Sequence, residues 1–280
     1  MTRPIEDTRI LVTGATDGLG RGVAERLAAG GASLLLHGRD PKRLAATADQ
    51  IRRSTGNARI STHCADLSSL QEVSALADDV TSSTDVLHVL INNAGIGSGK
   101  PDLNTRQESR DGHELRFAVN YLAGFSLTLL LLPLLLRSAP ARVVHVASLA
   151  QAPIDFDDPM IHKDYGGVRA YGQSKLAQVT SGFELASRLP AEQVTVNSLH
   201  PATYMPTKIV LQEVGRSVDT LEEGVKATMR LAISTEVGGV SGRFYDRQAE
   251  SRPNAQAYDL EARARLWKLS LDLTGAPDPG

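Results

Sequence analysis

Two residues with complementary acid–base chemistry, Tyr171 and Lys175, lie four positions apart in the segment Tyr-Gly-Gln-Ser-Lys. On a helix, this spacing places both side chains on one face, one turn apart. A phenol can give a proton to a reacting oxygen, and an adjacent ammonium lowers the phenol pKa from its ordinary value of about 10. The pair therefore predicts a general acid, although ordinary exposed helix faces carry the same spacing.

Two further polar residues lie where they could support such an acid. Ser148 follows the apolar run 142–146, which predicts a buried strand. Ligands of open α/β sheets bind beyond the carboxyl ends of the strands, so a hydroxyl there can donate to a substrate oxygen. Asn120 lies in a mainly apolar segment, predicted as a helix from about Gly112, and a buried amide needs partners. A turn serine and a satisfied core asparagine are the alternatives.

The element that would position a cofactor beside these residues is a glycine-rich turn near the N-terminus. The apolar run 9–13 predicts a buried strand, and the spacing of Val23 and Leu27 predicts a helix. Glycines between them let the backbone approach a pyrophosphate, whose charge the helix N-terminus favours. A plain tight turn is the alternative. The predicted cofactor contacts in this turn are Gly14, Thr16, Asp17, Gly18, Leu19 and Gly20.

Arg39 follows the second predicted strand, 33–37. Many NAD-binding chains place an acidic residue there, which binds the ribose 2′-hydroxyl. A guanidinium suits a 2′-phosphate instead, so Arg39 predicts NADP(H), with NAD(H) as the second choice. An exposed arginine near the start of the next helix is the alternative.

Predicted strands and helices alternate along the whole chain, with further strands at 58–63, 86–91, 193–199 and 242–246. This order predicts an α/β fold, a single doubly wound Rossmann domain (1–280) with a mostly parallel sheet. Two segments, 151–169 and 203–217, are predicted to shape the substrate pocket together with a C-terminal helix at 255–274. A short helix at 208–215 is interpreted as a lid.

The overall composition excludes several classes of function. The chain has 280 residues, a formal net charge of −2 and 22% charged residues, so no basic excess indicates nucleic acid. The apolar run 125–136 is too short to span a bilayer and predicts a buried helix rather than a membrane protein. One cysteine, Cys64, fits a cytoplasmic location and is predicted to be buried at a strand end.

No metal site is predicted. The seven histidines are scattered without zinc-ligand spacing. The loop acids Asp155, Asp157 and Asp158 are interpreted as solvated surface rather than as a cation site.

The glycine spacing Thr-Gly-x-x-x-Gly-x-Gly and the segment Asn-Asn-Ala-Gly (92–95) resemble the compact form of the short-chain dehydrogenase/reductase superfamily. The resemblance covers essentially the whole chain and implies a catalytic tetrad of Asn120, Ser148, Tyr171 and Lys175. Tyr171 would deliver the proton, and Ser148 would hold the substrate oxygen. Lys175 would lower the Tyr171 pKa and bind the nicotinamide ribose, and Asn120 would hold a relay water.

The same resemblance implies further cofactor contacts. Asp66 and Leu67 would hold the adenine, although Asp66 could instead cap the helix that follows. Pro201 would be followed by a threonine that binds the carboxamide, and the sequence leaves Thr203, the first choice, and Thr207 open. Contacts near the nicotinamide ribose would come from Asn93, Ala94, Gly95, Tyr171 and Lys175. Asp17 argues against NADP, because many NADP-preferring relatives have a basic residue in the glycine turn.

The acidic pair 157–158, followed by Tyr-Gly-Gln-Ser-Lys, resembles the branch of retinol dehydrogenases and bacterial carbonyl reductases. The predicted activity is NADP(H)-dependent reduction of a ketone or aldehyde, or the reverse oxidation, of a small molecule. A homodimer or homotetramer could pair the helix at 125–136 with the catalytic helix. A non-catalytic nucleotide-sensing or scaffold protein and an NAD-retaining epimerase or dehydratase are the alternatives.

Overall fold

Short apolar runs alternate with amphipathic segments, and in the computed structural model they form strands and helices in turn. The structure describes residues 3–99 and 102–280. The strands are β1 (Arg9–Val12), β2 (Ser33–Gly38), β3 (Ile60–Cys64), β4 (Val89–Asn92), β5 (Ala141–Val146), β6 (Val194–His200), β7 (Arg243–Asp246) and β8 (Ala249–Ser251). The helices are α1 (Gly18–Ala29), α2 (Pro41–Thr55), α3 (Leu70–Ser83), α4 (Ala123–Arg137), α5 (Gly167–Arg188), α6 (Lys208–Glu213), α7 (Leu221–Ile233) and α8 (Leu260–Thr274).

All eight strands form one sheet in the order β3-β2-β1-β4-β5-β6-β7-β8. Neighbouring strands from β3 to β7 are parallel, and β8 pairs antiparallel with β7. The doubly wound fold with a mostly parallel sheet is therefore confirmed. The strand order reverses between β1 and β4, and a crevice at such a switch point is where these folds bind ligands. β8 was not predicted, because three residues are too few to show alternation.

Two apolar layers cover the two faces of the sheet. One contains the buried residues of α1, α2 and α7, and the other those of α3, α4, α5 and α8. The helical stretch Phe117–Arg137 has the length and hydropathy of a membrane span, but 72% of its most apolar window is buried inside the fold. Because it packs against α3 and α5, its apolar surface is used by the core.

Two local predictions are wrong, those for Gly112 and Cys64, and the alternative role of Asp66 as a helix cap is excluded. Gly112 has a φ of 81°, so the helix begins after it, and a π-helical turn, Phe117–Leu122, leads into α4. Cys64 is exposed, because it ends the edge strand β3, in which only Ile60 and His63 are buried. Asp66 does not cap α3; Ser69 does, by accepting from the Glu72 N–H.

The C-terminal helix packs against α4 and α5. Trp267 meets Phe125 edge to face with ring centroids 5.1 Å apart, and the Arg188 guanidinium lies 4.4 Å from the Trp267 ring. Arg263 donates to Glu184 of α5 at 3.0 Å. The surface of α4 and α5 suggested for subunit pairing is thus covered in part by the chain's own α8. The prediction of one continuous helix is wrong in detail, since a separate 3₁₀ turn precedes α8.

Candidate active site

The first turns of α5 bring Tyr171 and Lys175 to the carboxyl end of β5. The Lys175 side chain is buried, and its Nζ donates to the Val146 carbonyl at 2.9 Å. Nζ lies 5.9 Å from the centroid of the Tyr171 ring. The predicted one-turn separation on a common helix is present, and both groups lie at the sheet edge where ligands bind.

The two groups have shifted pKa values, although not as the sequence suggested. Burial raises the pKa of Tyr171; a hydrogen bond from Ser148 opposes this, and the charge of Glu213 adds to it. Burial also lowers the pKa of Lys175 to about 8. The net pKa of Tyr171 is raised rather than lowered, because burial outweighs the opposing contributions; the Lys175 Nζ is directed at the Val146 carbonyl, and its lowering effect on the Tyr171 pKa stays a prediction. A phenol with a raised pKa stays protonated at neutral pH, as a proton donor must.

Ser148 lies just beyond β5, beside the phenol. Its side chain is buried, and its hydroxyl accepts from the Ala150 N–H at 3.0 Å. The same hydroxyl lies beside the Tyr171 phenol and opposes the rise in the Tyr171 pKa. The structure thus brings Ser148 and Tyr171 together, so that two hydroxyls can point at one ligand oxygen.

Asn120 lies in the π-helical turn and is fully engaged by protein groups. Its Oδ1 accepts from the Ile96 N–H at 2.7 Å, and its Nδ2 donates to the Ile96 carbonyl and to Ser174 Oγ. These bonds join the segment after β4 to α5. π-turns of this kind often occur at functional sites. The geometry supports a positioning role, and the water relay stays a prediction.

The glycine turn packs tightly against the end of β4. Gly14 has a φ of 66°, and an added Cβ would lie 2.9 Å from Ala94 Cα. An added Cβ on Gly20 would lie 2.3 Å from the Gly14 carbonyl oxygen. Asn93 Nδ2 donates to the Thr13 and Gly14 carbonyls. Asn93 therefore braces the turn with its side chain, and this close backbone approach suits a pyrophosphate cradle.

His37 was not singled out from the sequence, yet it orients this turn. Its Nδ1 accepts from the Gly14 N–H at 3.2 Å, and its Nε2 lies 3.1 Å from the Ala65 carbonyl. Burial lowers the His37 pKa to about 4, so the ring is neutral and can accept. The signal available in the sequence was only its place at the carboxyl end of β2.

Mild acid is expected to destabilise the fold through His37 and His145. Burial lowers the pKa of each from 6.5 to about 4, so the unfolded chain binds more protons as the pH falls through that window. The free energy of unfolding should drop by roughly 2 kcal/mol per histidine between about pH 7 and about pH 5. Urea titrations at constant ionic strength, repeated at each pH, measure this free energy of unfolding. His37→Gln should remove roughly 2 kcal/mol of this dependence and leave the rest, to which His88 with its pKa of about 4 also contributes, and His162→Ala on an exposed loop is the control. A flat profile would contradict the assignment.

The predicted 2′-phosphate end contains two arginines. Arg39 is exposed, and its charge acts on Asp66, whose pKa is lowered despite burial by hydrogen bonds with Ser68 and by Arg110 and Arg39. Arg43, which the sequence analysis missed, pairs with Asp17 at 2.6 Å. Asp17 also caps α1 by accepting from the Gly18 N–H. Asp17 of the glycine turn thus holds Arg43, a second guanidinium besides Arg39, at the predicted 2′-phosphate end of the site.

Two threonines after β6 point to different surroundings. Thr203 Oγ1 accepts from Arg247 at 3.2 Å and lies 3.1 Å from His200 Nε2. Thr207 caps α6, and its Cγ2 lies 3.0 Å from where a Cβ on Gly18 would be. The geometry favours Thr207 as the threonine facing the glycine turn. Pro201 and Leu67 are both buried at the ends of their segments.

A buried arginine, which forms an ion pair with a nearby glutamate, connects the loop after β4 to the 151–169 loop. Arg116 and Glu114 are both buried and lie 3.3 Å apart. Arg116 donates to the Gly97 carbonyl at 3.1 Å and to the Tyr165 hydroxyl at 2.8 Å. Burial and Glu114 raise the Tyr165 pKa to about 12. Tyr165 therefore holds the 151–169 loop, and its hydroxyl is already occupied.

Comparison with known proteins decides the family. A profile of the short chain dehydrogenase family matches residues 8–214. The chain belongs to the short-chain dehydrogenase family. Human retinol dehydrogenase 13 is 34% identical over 293 aligned positions, covering 96% of this chain and 85% of that protein. Mouse polyprenol dehydrogenase is 36% identical over 284 positions, covering 95% and 83%. The resemblance to the retinol dehydrogenase branch is thus confirmed.

Solved structures with the same fold agree with the assignment to the short-chain dehydrogenase family. A crystal structure from Mycobacterium paratuberculosis matches with a TM-score of 0.74 and 26% identity, covering both chains completely. The NADP complex of Pseudomonas aeruginosa RhlG matches with a TM-score of 0.69 and 28% identity, covering 88% of this chain and 97% of that one. The protein is an oxidoreductase that acts on alcohols or carbonyls and binds a nicotinamide cofactor, as predicted.

The three loop acids of this dehydrogenase have ordinary structural partners. The Asp155 carboxylate accepts from the Asp157 and Asp158 N–H groups and pairs with Arg169 at 2.9 Å. Within residues 3–99 and 102–280, no group of three metal-ligating side chains is assembled. The acids therefore shape the 151–169 loop.

Proposed function

We propose that this dehydrogenase reduces a ketone or aldehyde to an alcohol with NADPH, or catalyses the reverse oxidation. The observation that carries the proposal is the Tyr171 phenol with the Ser148 hydroxyl beside it and the buried Lys175 Nζ 5.9 Å from its ring centroid. All three lie beyond the carboxyl ends of parallel strands, where the glycine turn also ends.

Each residue of the tetrad has a defined task on this proposal. A bound nicotinamide supplies or accepts the hydride. Tyr171 gives its proton to the carbonyl oxygen, and Ser148 holds that oxygen by donating to it. Lys175, whose pKa is about 8, is largely protonated at neutral pH and offsets the charge of the phenolate that remains. Asn120 holds the Ile96 segment in place and, as a further proposal, the relay water.

The preference for NADP(H) over NAD(H) rests on the arginines at the end of β2. Arg39 is exposed there, and Arg43 is held nearby by Asp17. A guanidinium binds a phosphate with parallel hydrogen bonds, which the free 2′-hydroxyl of NAD cannot match. The structural relative RhlG was solved with NADP.

We propose an apolar, isoprenoid-like alcohol or aldehyde as the substrate class. The similar proteins are named for retinol and polyprenol. Large apolar side chains remain exposed on the segments that border the site: Leu149, Val168, Tyr204, Ile209, Leu211 and Val218. Such a concentration of exposed apolar surface suits a hydrophobic ligand.

We propose that the chain acts as one domain in the cytoplasm, without nucleic acid, since all eight strands share one sheet and the only cysteine is unpaired. We propose no membrane insertion, because the apolar stretch Phe117–Arg137 is used by the core. A homo-oligomer, if one forms, would have to use a surface other than the part of α4 and α5 under α8.

The test is a kinetic screen that follows NADPH absorbance. Retinal and other isoprenoid aldehydes are compared with short polar ketones, and each active substrate is repeated with NADH. We expect turnover of apolar carbonyls, with kcat/KM at least roughly tenfold higher for NADPH than for NADH. Turnover of none of these carbonyls, and oxidation of none of the matching alcohols by NADP, would overturn the proposal.

A further inference from the structure

The segment 203–219, which contains α6, is closed at its base. The Asp219 N–H donates to the Thr203 carbonyl at 2.9 Å, and the Val218 N–H donates to the Tyr204 carbonyl at 3.0 Å. Arg247 donates to the Asp219 carboxylate from Nε at 3.0 Å. These bonds fix the two ends of the segment to the turn after β7 and to each other, so any movement of α6 would pivot about this base.

The far end of the segment is held by one side chain, Glu213, the last residue of α6. Its carboxylate accepts from the Ser98 N–H at 3.1 Å, the Ser98 hydroxyl at 2.7 Å and the Gly99 N–H at 2.9 Å. A carboxylate at a helix C-terminus is disfavoured by the helix dipole. Its placement here is therefore explained by the three donors on the loop after β4, and not by α6 itself.

The loop and α6 fit together without spare space. An added Cβ on Gly97 would lie 2.2 Å from Glu213 Oε1 and 2.7 Å from Ile209 Cγ2. The side chain at position 97 must be a hydrogen atom for this contact to form. Gly97 shows no positive φ, so an alanine there would be obstructed only by these neighbours.

We propose that Glu213 is a positioning residue that latches α6 over the active site by binding Ser98 and Gly99. Closure of this kind would exclude water and hold the substrate against the hydroxyls of Ser148 and Tyr171. The inference rests on the proposed function, because it assigns α6 a task at that same site.

The latch also places a charge near the acid. Tyr171 is faced by Ser148 from the end of β5, by Lys175 from its own helix and by Glu213 from α6. Glu213 raises the Tyr171 pKa, so the closed latch favours the protonated phenol. A residue that only stabilised the fold would leave the pH profile of the reaction unchanged.

The experiment combines Glu213→Gln with Gly97→Ala in a double-mutant cycle. Glu213→Gln removes the charge, and Gly97→Ala obstructs the contact from the opposite side. Two measurements are made: trypsin cleavage at Lys208 and Arg216, which flank the lid, and steady-state kinetics across pH. Glu236→Gln, a change of the same kind on an exposed side chain that pairs with Arg230, is the control.

We expect each latch variant to be cleaved roughly tenfold faster and to show a similar fall in kcat/KM, mainly through KM. The double variant should be little worse than either single variant, because both changes break one contact. In Glu213→Gln alone, the Tyr171-dependent limb of the profile should move to lower pH. Glu236→Gln should match the wild type.

Cleavage of the latch variants at the wild-type rate, additive effects or an unmoved pH limb would overturn the latch. The two proposals fail separately. If no carbonyl is reduced and no alcohol oxidised by the wild type, the proposed function fails. The trypsin rates of the four proteins in the cycle still decide whether Glu213 holds α6.

Discussion

Replacing Tyr171 with phenylalanine should lower kcat by roughly 10²- to 10⁴-fold, the range that general acids contribute. The ring that packs at the start of α5 is retained, while the one proton that the proposed reaction needs is lost. Ser148 cannot substitute, since the pKa of an aliphatic hydroxyl lies far above that of a phenol. Steady-state turnover of an active carbonyl substrate is the measurement, with NADPH binding followed by fluorescence.

Tyr258→Phe is the matched control for this loss. It removes the same oxygen from a tyrosine that is exposed on the 3₁₀ turn before α8. The control should keep wild-type turnover, and both variants should melt near the wild-type temperature and bind NADPH. A Tyr171→Phe enzyme with turnover close to that of the wild type would show that another group donates the proton.

Exchanging Arg39 for aspartate should change the cofactor preference. A lost charged hydrogen bond to phosphate, together with a new repulsive carboxylate, should lower kcat/KM for NADPH roughly 100-fold. The value for NADH should be nearly unchanged or higher, because a carboxylate at this strand end can accept from the ribose 2′-hydroxyl. Kinetics with both cofactors at one saturating substrate concentration give the ratio.

Arg53→Asp provides the same charge change on an exposed position at the other end of α2. It should leave the ratio of the two kcat/KM values as in the wild type, since it lies about 15 Å further along the helix from Arg43. Arg43→Ala should produce a smaller loss than Arg39→Asp, because Asp17 already pairs with Arg43. Equal losses with both cofactors for Arg39→Asp would remove Arg39 from the phosphate site.

Elements with strong local signals were predicted nearly to the residue. α2 has Asp40 as its N-cap, a proline at its first position and Gly56 beyond its end, and its bounds match the prediction. The predicted strands are present with ends moved by at most three residues, the largest shift being at the start of β4. Where the signal was weak, as in the π-turn at Phe117–Leu122 and the short β8, the prediction was wrong or missing.

The residues of the candidate site likewise differ in how strong their local sequence signal is. Tyr171, Lys175 and Ser148 were recognised from spacing and from their place after a strand, and the structure brings them together. His37, Arg43 and Glu213 were not recognised, because each acts on a partner remote in the chain and none lies in a motif with that partner.

From its sequence alone, this chain determined the succession of strands and helices, the glycine turn and Tyr171 as the candidate acid, because each depends on residues that are neighbours in the chain. Only the tertiary structure decided which threonine faces Gly18 and what covers α4 and α5. It also decided that the Tyr171 pKa rises. Those properties depend on burial and on charges brought from distant segments, which local patterns do not contain.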